Sequence, residues 1–313
     1  MAGAQTAALP AREAARARQM SDTQFALVII LGVSLLNAAI IFVPLVYSAW
    51  LSLHESNVIL RTMEFVGAKH YWTAITDPKV LAAAWRSVVF SAIAVVLSFA
   101  LSLGFALVLN EDFPGKGLLR ALVLLPWAIS QVVTATVFSF MLNPNVGALN
   151  ALLAPMGIVG PSHVWLSQDM ALIWVSVAFV WHLAPLGTFF YLASLQTIPE
   201  DLYNAARIDR AGPVRRFAHI TLPHLRHTTL IVLVVMTVEA VRQFDLVFSL
   251  TRGGPGTASQ ILPMLVFRYN FEFSQYGLAA ATSFILTAMS VALAVGYFLL
   301  LRKKKVKKET ANG

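Results

Sequence analysis

The sequence predicts an all-α membrane protein with six transmembrane helices and both termini in the cytoplasm. The first supporting observation is composition: 58% of the residues are hydrophobic, 12% are charged and the mean hydropathy is +0.72, values outside the range of soluble domains. The second is that six apolar segments reach the roughly 20 residues that a helix needs to cross the hydrocarbon core. The third is that Lys and Arg gather in alternate connections, as expected where the cytoplasmic side retains them.

Each predicted span is a long apolar run. The runs cover residues 25–53, 88–109, 121–142, 170–195, 228–250 and 277–301. The first, second, third and sixth contain no Asp, Glu, Lys, Arg or His, and the fourth contains only His182. Because an ionisable side chain is costly inside a bilayer, this distribution favours lipid-embedded helices and makes the charged fifth run the exception.

The basic residues orient the spans and set the organisation of the chain. They are densest before the first span, between the fourth and fifth spans and after the sixth. Residues 1–24 and 302–313 are therefore expected to be cytoplasmic tails of a membrane domain over 25–301. The basic C-terminal tail is expected to contact anionic lipid, whereas nucleic-acid binding, the alternative explanation of the +8 net charge, is not expected. The same orientation places residues 200–223 in the cytoplasm.

Motifs of independent enzymes are missing from the sequence. A P-loop needs G-x-x-x-x-G-K-[ST] to hold phosphates, and neither the GKG at Gly115 nor the GGPGTAS at Gly253 fits it. The sequence also contains no HExxH, no GxSxG and no Cys, which removes the corresponding zinc, serine and thiolate sites. We therefore expect no catalytic residue and no metal ligand on this chain.

A polar, Arg-rich segment separates the fourth and fifth spans. The acidic pair after Pro199 predicts a helix start, because carboxylates suit the positive end of the helix dipole. The small Ala205 and Ala206 would permit close approach of another surface. Gly212, with the proline that follows it, is expected to end the helix.

The order of residues in DLYNAARIDRAGPVRRFAHITLP, residues 201–223, resembles the EAA motif. This motif is the cytoplasmic coupling loop of permease subunits of bacterial ATP-binding-cassette (ABC) importers. Asn204 stands where the motif usually has Glu, and Arg210 where it usually has Gly. Further strings resemble carbohydrate-type permeases in the order of the family, among them FPGKGLLRALVLLPW, NPNVGALNALL and FDLVFSLTRGGPG. The resemblance assigns contact with an ATPase to Asn204, Ala205, Ala206, Asp209, Arg210, Gly212, Arg215, Arg216 and Phe217.

This resemblance implies the type I permease fold of ABC importers, in a multi-pass protein of the bacterial inner membrane. Such a permease works with a second permease, two ATPase subunits and an extracytoplasmic substrate-binding protein, so ATP and Mg²⁺ would belong to the ATPase and no cofactor to this chain. It implies uptake of a sugar or sugar derivative, with a polyol, glycerol phosphate or another charged carbohydrate derivative as alternatives. A secondary transporter is the competing class, but it would be expected to carry buried acids on several helices, whereas here they lie on one.

Glu239, Arg242 and Asp245 are the ionisable residues of the fifth span, at positions i, i+3 and i+6. Such groups should face a cavity or one another rather than lipid, and Glu239 and Arg242 are close enough on a helix to pair. Two interpretations stay open: an ion pair that fixes packing, or, with Gln243, a polar lining for the path of a hydroxyl-rich solute. For Asp245 the alternative role is a cap on the glycine-rich loop that follows.

Three residues of the third and fourth spans are further candidates for the same path. Trp127 and Gln131 follow Pro126, which removes a helix hydrogen bond and can bend the span. His182 is the third candidate, with helix packing as its alternative role.

Overall fold

The computed structural model describes residues 21–57 and 62–309. The predicted N-terminal tail therefore lies outside the described residues up to residue 20, and so does the end of the predicted C-terminal tail, residues 310–313. The chain divides into two units, Met1–Leu51 and Ser52–Gly313. The part that the structure describes is mostly helical, with one two-stranded antiparallel sheet.

The elements follow one another along the chain without long gaps. The helices are α1 (Asp22–Ser52), α2 (Lys69–Thr76), α3 (Pro78–Asn110), α4 (Lys116–Ala128), α5 (Gln131–Met141), α6 (Ala148–Leu153), α7 (Ala171–Leu195), α8 (Glu200–Ile208), α9 (Pro213–His224), α10 (Arg226–Val241), α11 (Asp245–Thr251), α12 (Leu262–Phe267) and α13 (Tyr276–Glu309). Strands β1 (His54–Asn57) and β2 (Thr62–Phe65) form the sheet. Two stretches are π-helical: Phe217–Thr221 within α9, and Arg268–Glu272 after α12.

Helix α1 makes up the described part of the first unit and continues one residue into the second. Ser21 caps its start, because the Ser21 hydroxyl accepts a hydrogen bond from the Gln24 N–H at 3.3 Å. Residues Thr23–Ser52 have a mean hydropathy of 2.7 in their most apolar window, and the large apolar side chains along α1 are exposed. A helix that is apolar on all sides suits a lipid environment.

The second unit opens with the sheet and α2. The Lys69 ammonium of α2 lies 2.7 Å from a Glu55 carboxylate oxygen on β1. The hydrogen bond from Lys69 holds the pKa of the Glu55 carboxyl below its usual value. The sheet and α2 are thus tied together by an exposed ion pair.

The long helices α3 and α7 form the centre of the second unit, and α10 packs on both of them. Phe90 of α3 meets Phe179 of α7, with their ring centroids 5.4 Å apart. The three helices come together at Gly187 of α7, where an added Cβ would collide with the side chains of Ser102 and Met236. A larger residue at this position would push the helices apart, so the sequence needs glycine here for close approach.

One predicted span contains a sharp bend, and a second bend lies just before the predicted fifth span. Helices α4 and α5 cover the third predicted span but meet at an angle of 101°. Pro126 lies in the last turn of α4, and Ser130 begins α5 by accepting a hydrogen bond from the Val133 N–H at 3.3 Å, so a proline and an N-cap together make the break. Helices α9 and α10 meet at 67°.

The prediction of one continuous fifth helix over 228–250 is wrong from Arg242 onward. Helix α10 ends at Val241, and α11 begins only at Asp245. The N–H of Gln243 bonds back to the Ala240 carbonyl at 3.2 Å, the tight pattern of a helix end. The helix ends where the apolar run is followed by polar residues, and these residues line a polar cavity.

Among the described residues, four helices are long and apolar enough to cross a membrane, and the number rises to six if each bent pair acts as one span. The four are α1, α3, α7 and the first part of α13, Tyr276–Tyr297. The prediction of a helical protein with several apolar spans is confirmed at this level.

Candidate functional site

Helix α8 is the centre of the segment for which the sequence predicts contact with an ATPase. It starts after Pro199 with Glu200 and Asp201 in its first turn and Arg207 in its last, a charge order that suits the helix dipole. None of its side chains is buried. Tyr203 packs against the hydrophobic core, but most other side chains of α8 are exposed. A helix is normally stabilised by packing of one face, so these exposed side chains are available to a partner surface.

The end of α8 differs from the prediction. The helix ends at Ile208, and the Ala211 N–H bonds to the Ala206 carbonyl at 2.9 Å while the Arg210 N–H bonds to the Arg207 carbonyl at 3.0 Å. These two bonds form a Schellman motif, whose residue after the C-cap takes a left-handed conformation. Arg210 occupies that position with φ of +54°, which explains physically why glycine suits it.

Gly212 begins the next helix instead of ending α8. It is the N-cap of α9, with φ of −67°, and Pro213 takes the first helical position. The expectation that Gly212 stops the coupling helix is therefore wrong, because the Schellman motif at Arg210 has already stopped it. An added Cβ at Gly212 would meet no atom within 4 Å.

Side-chain hydrogen bonds attach this segment to the membrane helices. The Tyr203 hydroxyl of α8 lies 2.8 Å from the Thr221 hydroxyl of α9. The Thr197 hydroxyl, just after α7, lies 3.0 Å from Nε2 of His224 at the end of α9. Thr221 is buried, so α8 is anchored to the chain that leads into α10.

The other residues of the predicted coupling set fall into two groups. A cavity of about 650 Å³ lies between α8, the start of α9 and the connection after α3, and Asn204, Arg216 and Phe217 line it. The group that faces solvent or is partly exposed is Ala205, Ala206, Asp209, Arg210, Gly212 and Arg215. Phe217, which the resemblance assigns to contact with an ATPase, therefore lines this cavity and is partly exposed.

Two exposed apolar residues of this segment were missed by the sequence analysis. Ile208 is 83% exposed and Val214 is 81% exposed, on either side of the turn at Arg210. Because they flank one turn of an otherwise polar segment, these two side chains are candidates for contact with a partner surface. The signal was available in the sequence, because they are apolar residues in an otherwise polar stretch.

The second part of the candidate site is a polar cavity at the break between α10 and α11. Its volume is about 370 Å³, and its lining is Gln131, Glu239, Arg242, Gln243, Phe244 and Asp245. Arg242 donates a hydrogen bond from a terminal guanidinium nitrogen to Glu239 Oε1 at 2.9 Å. The structure thus brings Gln131, from the start of α5, beside the charged residues of the fifth predicted span.

Gln243 has a distinctive environment in this cavity. The residue is only 4% exposed, and its Nε2 has no hydrogen-bond partner among the described residues. A buried amide donor without a partner costs free energy. Because this nitrogen is itself buried, a ligand hydroxyl in the cavity would accept its hydrogen bond only after the side chain turns toward the cavity.

Asp245 lies in the first turn of α11, so the expectation that it caps the glycine-rich loop is wrong. That loop is held by other groups. The Ser259 hydroxyl donates to the Gly254 carbonyl at 2.7 Å, and the Gly253 N–H donates to the Thr251 hydroxyl at 3.2 Å. A carboxylate at the start of a helix is favourable where it stands.

Trp127 and His182 do not line the polar cavity. His182 is buried, and its Nδ1 lies 3.1 Å from the Pro126 carbonyl oxygen in the last turn of α4. Trp127 is 53% exposed. The contact of His182 fits its alternative role in packing, because it links α7 to the bend between α4 and α5. Among the described residues, no group of three or more His, Asp or Glu side chains is placed to hold a metal ion.

Comparison with known proteins gives matches over most of the chain. Residues 97–306 match the family described as "Binding-protein-dependent transport system inner membrane component". The trehalose/maltose transport system permease protein MalF of Thermococcus litoralis is 34% identical over 274 residues, covering 87% of this chain and 92% of that protein. The sulfoquinovosyl glycerol transport system permease protein SmoG of Agrobacterium fabrum is 29% identical over 289 residues, covering 91% and 92%.

A solved structure matches the fold. A chain of the crystal structure of a bacterial alginate ABC transporter, in complex with an alginate pentasaccharide-bound periplasmic protein, aligns with a TM-score of 0.78. The alignment covers 89% of this chain and 94% of that chain, at 19% sequence identity. At this identity the match establishes the fold alone.

Proposed function

The chain belongs to the family of binding-protein-dependent transport system inner membrane components, and from this premise we propose that it is the transmembrane permease subunit of an ATP-driven importer. With a second permease it forms the path for a solute that an extracytoplasmic binding protein delivers. Two ATPase subunits hold the ATP and Mg²⁺, and this chain carries no cofactor and no catalytic residue. The protein lies in the inner membrane, which it crosses several times.

We propose six crossings with the N and C termini in the cytoplasm. The bent pair α4–α5 forms one of them, and in the bent pair α9–α10 only α10 enters the membrane. The angle of 101° between α4 and α5 is compatible with this, because broken helices are tolerated in membranes where they border a cavity. The distribution of Lys and Arg supports the orientation. It places α8 and α9 on the cytoplasmic side, where an ATPase could reach them.

The observation that carries the proposal is the unburied helix α8, anchored to the chain that enters α10. The Tyr203–Thr221 hydrogen bond of 2.8 Å fixes α8 to α9, and α9 runs into α10 after a single residue. The far end of α10 holds Glu239 at the polar cavity. One helix therefore connects the surface for the ATPase with the path for the solute.

The polar cavity supports a carbohydrate-type solute. Glu239 offers acceptors, Arg242 and Gln243 offer donors, and Gln131 offers both, a mixture that suits hydroxyl groups. The names of the relatives point the same way, since one transports trehalose or maltose and another sulfoquinovosyl glycerol. Arg242 is 65% exposed at its side chain and favours a charged derivative as the second candidate.

Reconstitution of the complete complex tests the proposal. Radiolabelled sugar uptake should require the second permease, the ATPase and the binding protein, and the purified chain alone should hydrolyse no ATP above a detergent blank. Replacing Ala205 and Ala206 together by Glu should abolish uptake while membrane insertion persists, because bulk and charge would keep α8 out of a close-fitting partner surface. The matched control replaces both by Ser, which keeps the side chains small. ATP turnover by the lone chain, or normal uptake with both glutamates, contradicts the proposal.

A further inference from the structure

A small groove lies between the ends of α3, α4 and α7, on the side that the proposed orientation makes cytoplasmic. It has a volume of about 160 Å³. Its lining is Leu109, Arg120, Leu124, Thr188, Phe189, Leu192, Ala193 and Gln196. The walls are mostly aliphatic and aromatic, and Arg120 is the ionisable residue among these eight. This groove is separate from the polar cavity, with which it shares no lining residue.

The guanidinium of Arg120 is only partly satisfied. One terminal nitrogen donates to the Leu109 carbonyl at the end of α3, at 3.4 Å. The Nε is buried and has no hydrogen-bond partner among the described residues. No Asp or Glu stands among the eight lining residues, so within the described groove the positive charge faces no carboxylate.

The nearest basic neighbour on the same helix is already engaged. Lys116, one turn before Arg120, lies 3.0 Å from an Asp112 carboxylate oxygen and donates to the Asn110 carbonyl at 3.3 Å. The Asp112 charge is thus matched by Lys116. Arg120 keeps a positive charge in a largely apolar setting, where an anion would stabilise it.

The position of the groove limits the kind of anion. Leu124, Phe189, Leu192 and Ala193 continue the walls from Arg120 along the helices, and Phe189 is 58% exposed on a segment that lies in the bilayer. A ligand that fits therefore has an anionic head at Arg120 and an apolar tail along this wall. Arg120 directly precedes the predicted third span, which starts at residue 121, so the proposed orientation puts it at the cytoplasmic membrane boundary. Basic pockets between spans on the cytoplasmic side suit anionic headgroups.

We propose that this groove binds one anionic phospholipid of the cytoplasmic leaflet, with its phosphate at Arg120 and the start of an acyl chain against Phe189 and Leu192. The side assignment rests on the proposed orientation. Because α3 leads into the connection that borders the cavity beneath α8, and α7 leads directly into α8, a lipid here would fasten together the helix ends that support the coupling segment. The site therefore links the lipid composition of the membrane to the stability of that segment.

Native mass spectrometry of the purified full chain in detergent tests the site. Phosphatidylglycerol and phosphatidylcholine of equal chain length are titrated separately, and the fraction of protein carrying one lipid is measured. Phosphatidylglycerol should bind more tightly, and Arg120→Gln should weaken it about tenfold, the effect of losing one charge-assisted hydrogen bond. Ala193→Phe, which fills the groove without changing charge, should also reduce phosphatidylglycerol binding. Arg120→Lys should restore part of it.

The matched control is Lys79→Gln at the opposite end of α3. Lys79 is exposed, and its substitution removes one positive charge, as Arg120→Gln does. It should leave phosphatidylglycerol binding unchanged. Equal binding of the two lipids, or equal losses in Arg120→Gln and Lys79→Gln, overturns the site. If Ala193→Phe instead lowers the yield of complex with the second permease while lipid binding is unchanged, the groove is a protein contact and the lipid site is wrong.

The same design separates this inference from the proposed function. Equal binding of the two lipids by the wild-type chain, with normal uptake in the reconstituted complex, rejects the lipid site and leaves the permease function standing. Selective phosphatidylglycerol binding by a complex that never transports rejects the function and leaves the site.

Discussion

Ile208 provides the sharpest test of the coupling surface. Its side chain is 83% exposed, and we expect the ATPase to bury it. Ile208→Ala removes three carbons, and at about 0.8 kcal/mol per buried CH₂ group, scaled to the exposed fraction, the loss of binding free energy is about 2 kcal/mol. This corresponds to a roughly 30-fold weaker affinity. The measurement is the dissociation constant of the purified ATPase for the permease pair in nanodiscs, with the wild-type chain and with Ile208→Ala.

The control for this measurement is Leu118→Ala on α4. Leu118 is 70% exposed and lies near the same end of the membrane helices, but outside the coupling segment. Its truncation should leave the dissociation constant unchanged. If Ile208→Ala binds the ATPase as tightly as the wild type, or if Leu118→Ala weakens binding equally, Ile208 is not an anchor and the assignment of this face is wrong.

Three other predictions test single features of the structure. Arg210→Gly should relieve about 1 kcal/mol of left-handed backbone strain and slow amide hydrogen exchange across α8, whereas Arg210→Val should accelerate this exchange. Faster exchange in Arg210→Gly than in Arg210→Val would contradict the φ of +54°. Exchanging Glu239 and Arg242 should restore the complex assembly that the single mutants lose, without restoring uptake. Gln243→Ala should lower uptake further while the yield of complex stays constant. If the exchange restores uptake fully and Gln243→Ala has no effect, the pair is structural. Burial, reinforced by Asp77 at 3.1 Å, raises the pKa of Tyr269 from 10.0 to about 12. The protonated Tyr269 hydroxyl therefore stabilises the fold fully below pH 10, and this stabilisation is lost as the pH rises toward 12. In alkaline unfolding, Tyr269→Phe should reduce this loss of stability with pH.

The spans were predictable because apolar runs identify lipid-facing residues, but their ends were not. Helix α3 begins at Pro78, ten residues before the predicted start at Val88. The Asp77 carboxylate accepts a hydrogen bond from the Lys79 N–H at 2.8 Å and caps the helix there. Apolar-run length measures the hydrocarbon core, whereas a helix continues into the interface as long as caps and packing support it.

The coupling helix shows the same limit at its other end. Its start was predictable, since Glu200 and Asp201 suit the first turn after Pro199. Its end was assigned to Gly212 because glycine is the usual residue after a C-cap. Instead Arg210 adopts the left-handed conformation, which is unfavourable for a residue other than glycine. The two backbone hydrogen bonds of the Schellman motif hold it there. The end of this helix is therefore set by backbone hydrogen bonds at Arg210 and not by the position of the nearest glycine.

The polar cavity depends on contacts that sequence spacing cannot give. Glu239 and Arg242 could be paired from their separation along a helix, and they are. That Gln131 joins them depends on the packing of α11 against α5, between segments more than a hundred residues apart in sequence. The break after Val241 depends on the same packing, which provides the polar side chains with a cavity to face.

The two halves of the candidate site sit at opposite ends of one packed helix, which makes their roles separable by experiment. At its beginning α10 is tied to α7, where the Thr228 hydroxyl donates to the Ser194 hydroxyl at 2.9 Å, and in its middle Met236 is buried against Gly187. A helix held at both places transmits displacement as a unit, because a close-packed core deforms little. Ile208 belongs to α8 and does not line the polar cavity. Ile208→Ala should weaken ATPase affinity without altering the cavity, whereas exchanging Glu239 and Arg242 should leave that affinity intact. A charge exchange that weakened ATPase binding as strongly as Ile208→Ala would mean that the two ends share one contact network and have no separate roles.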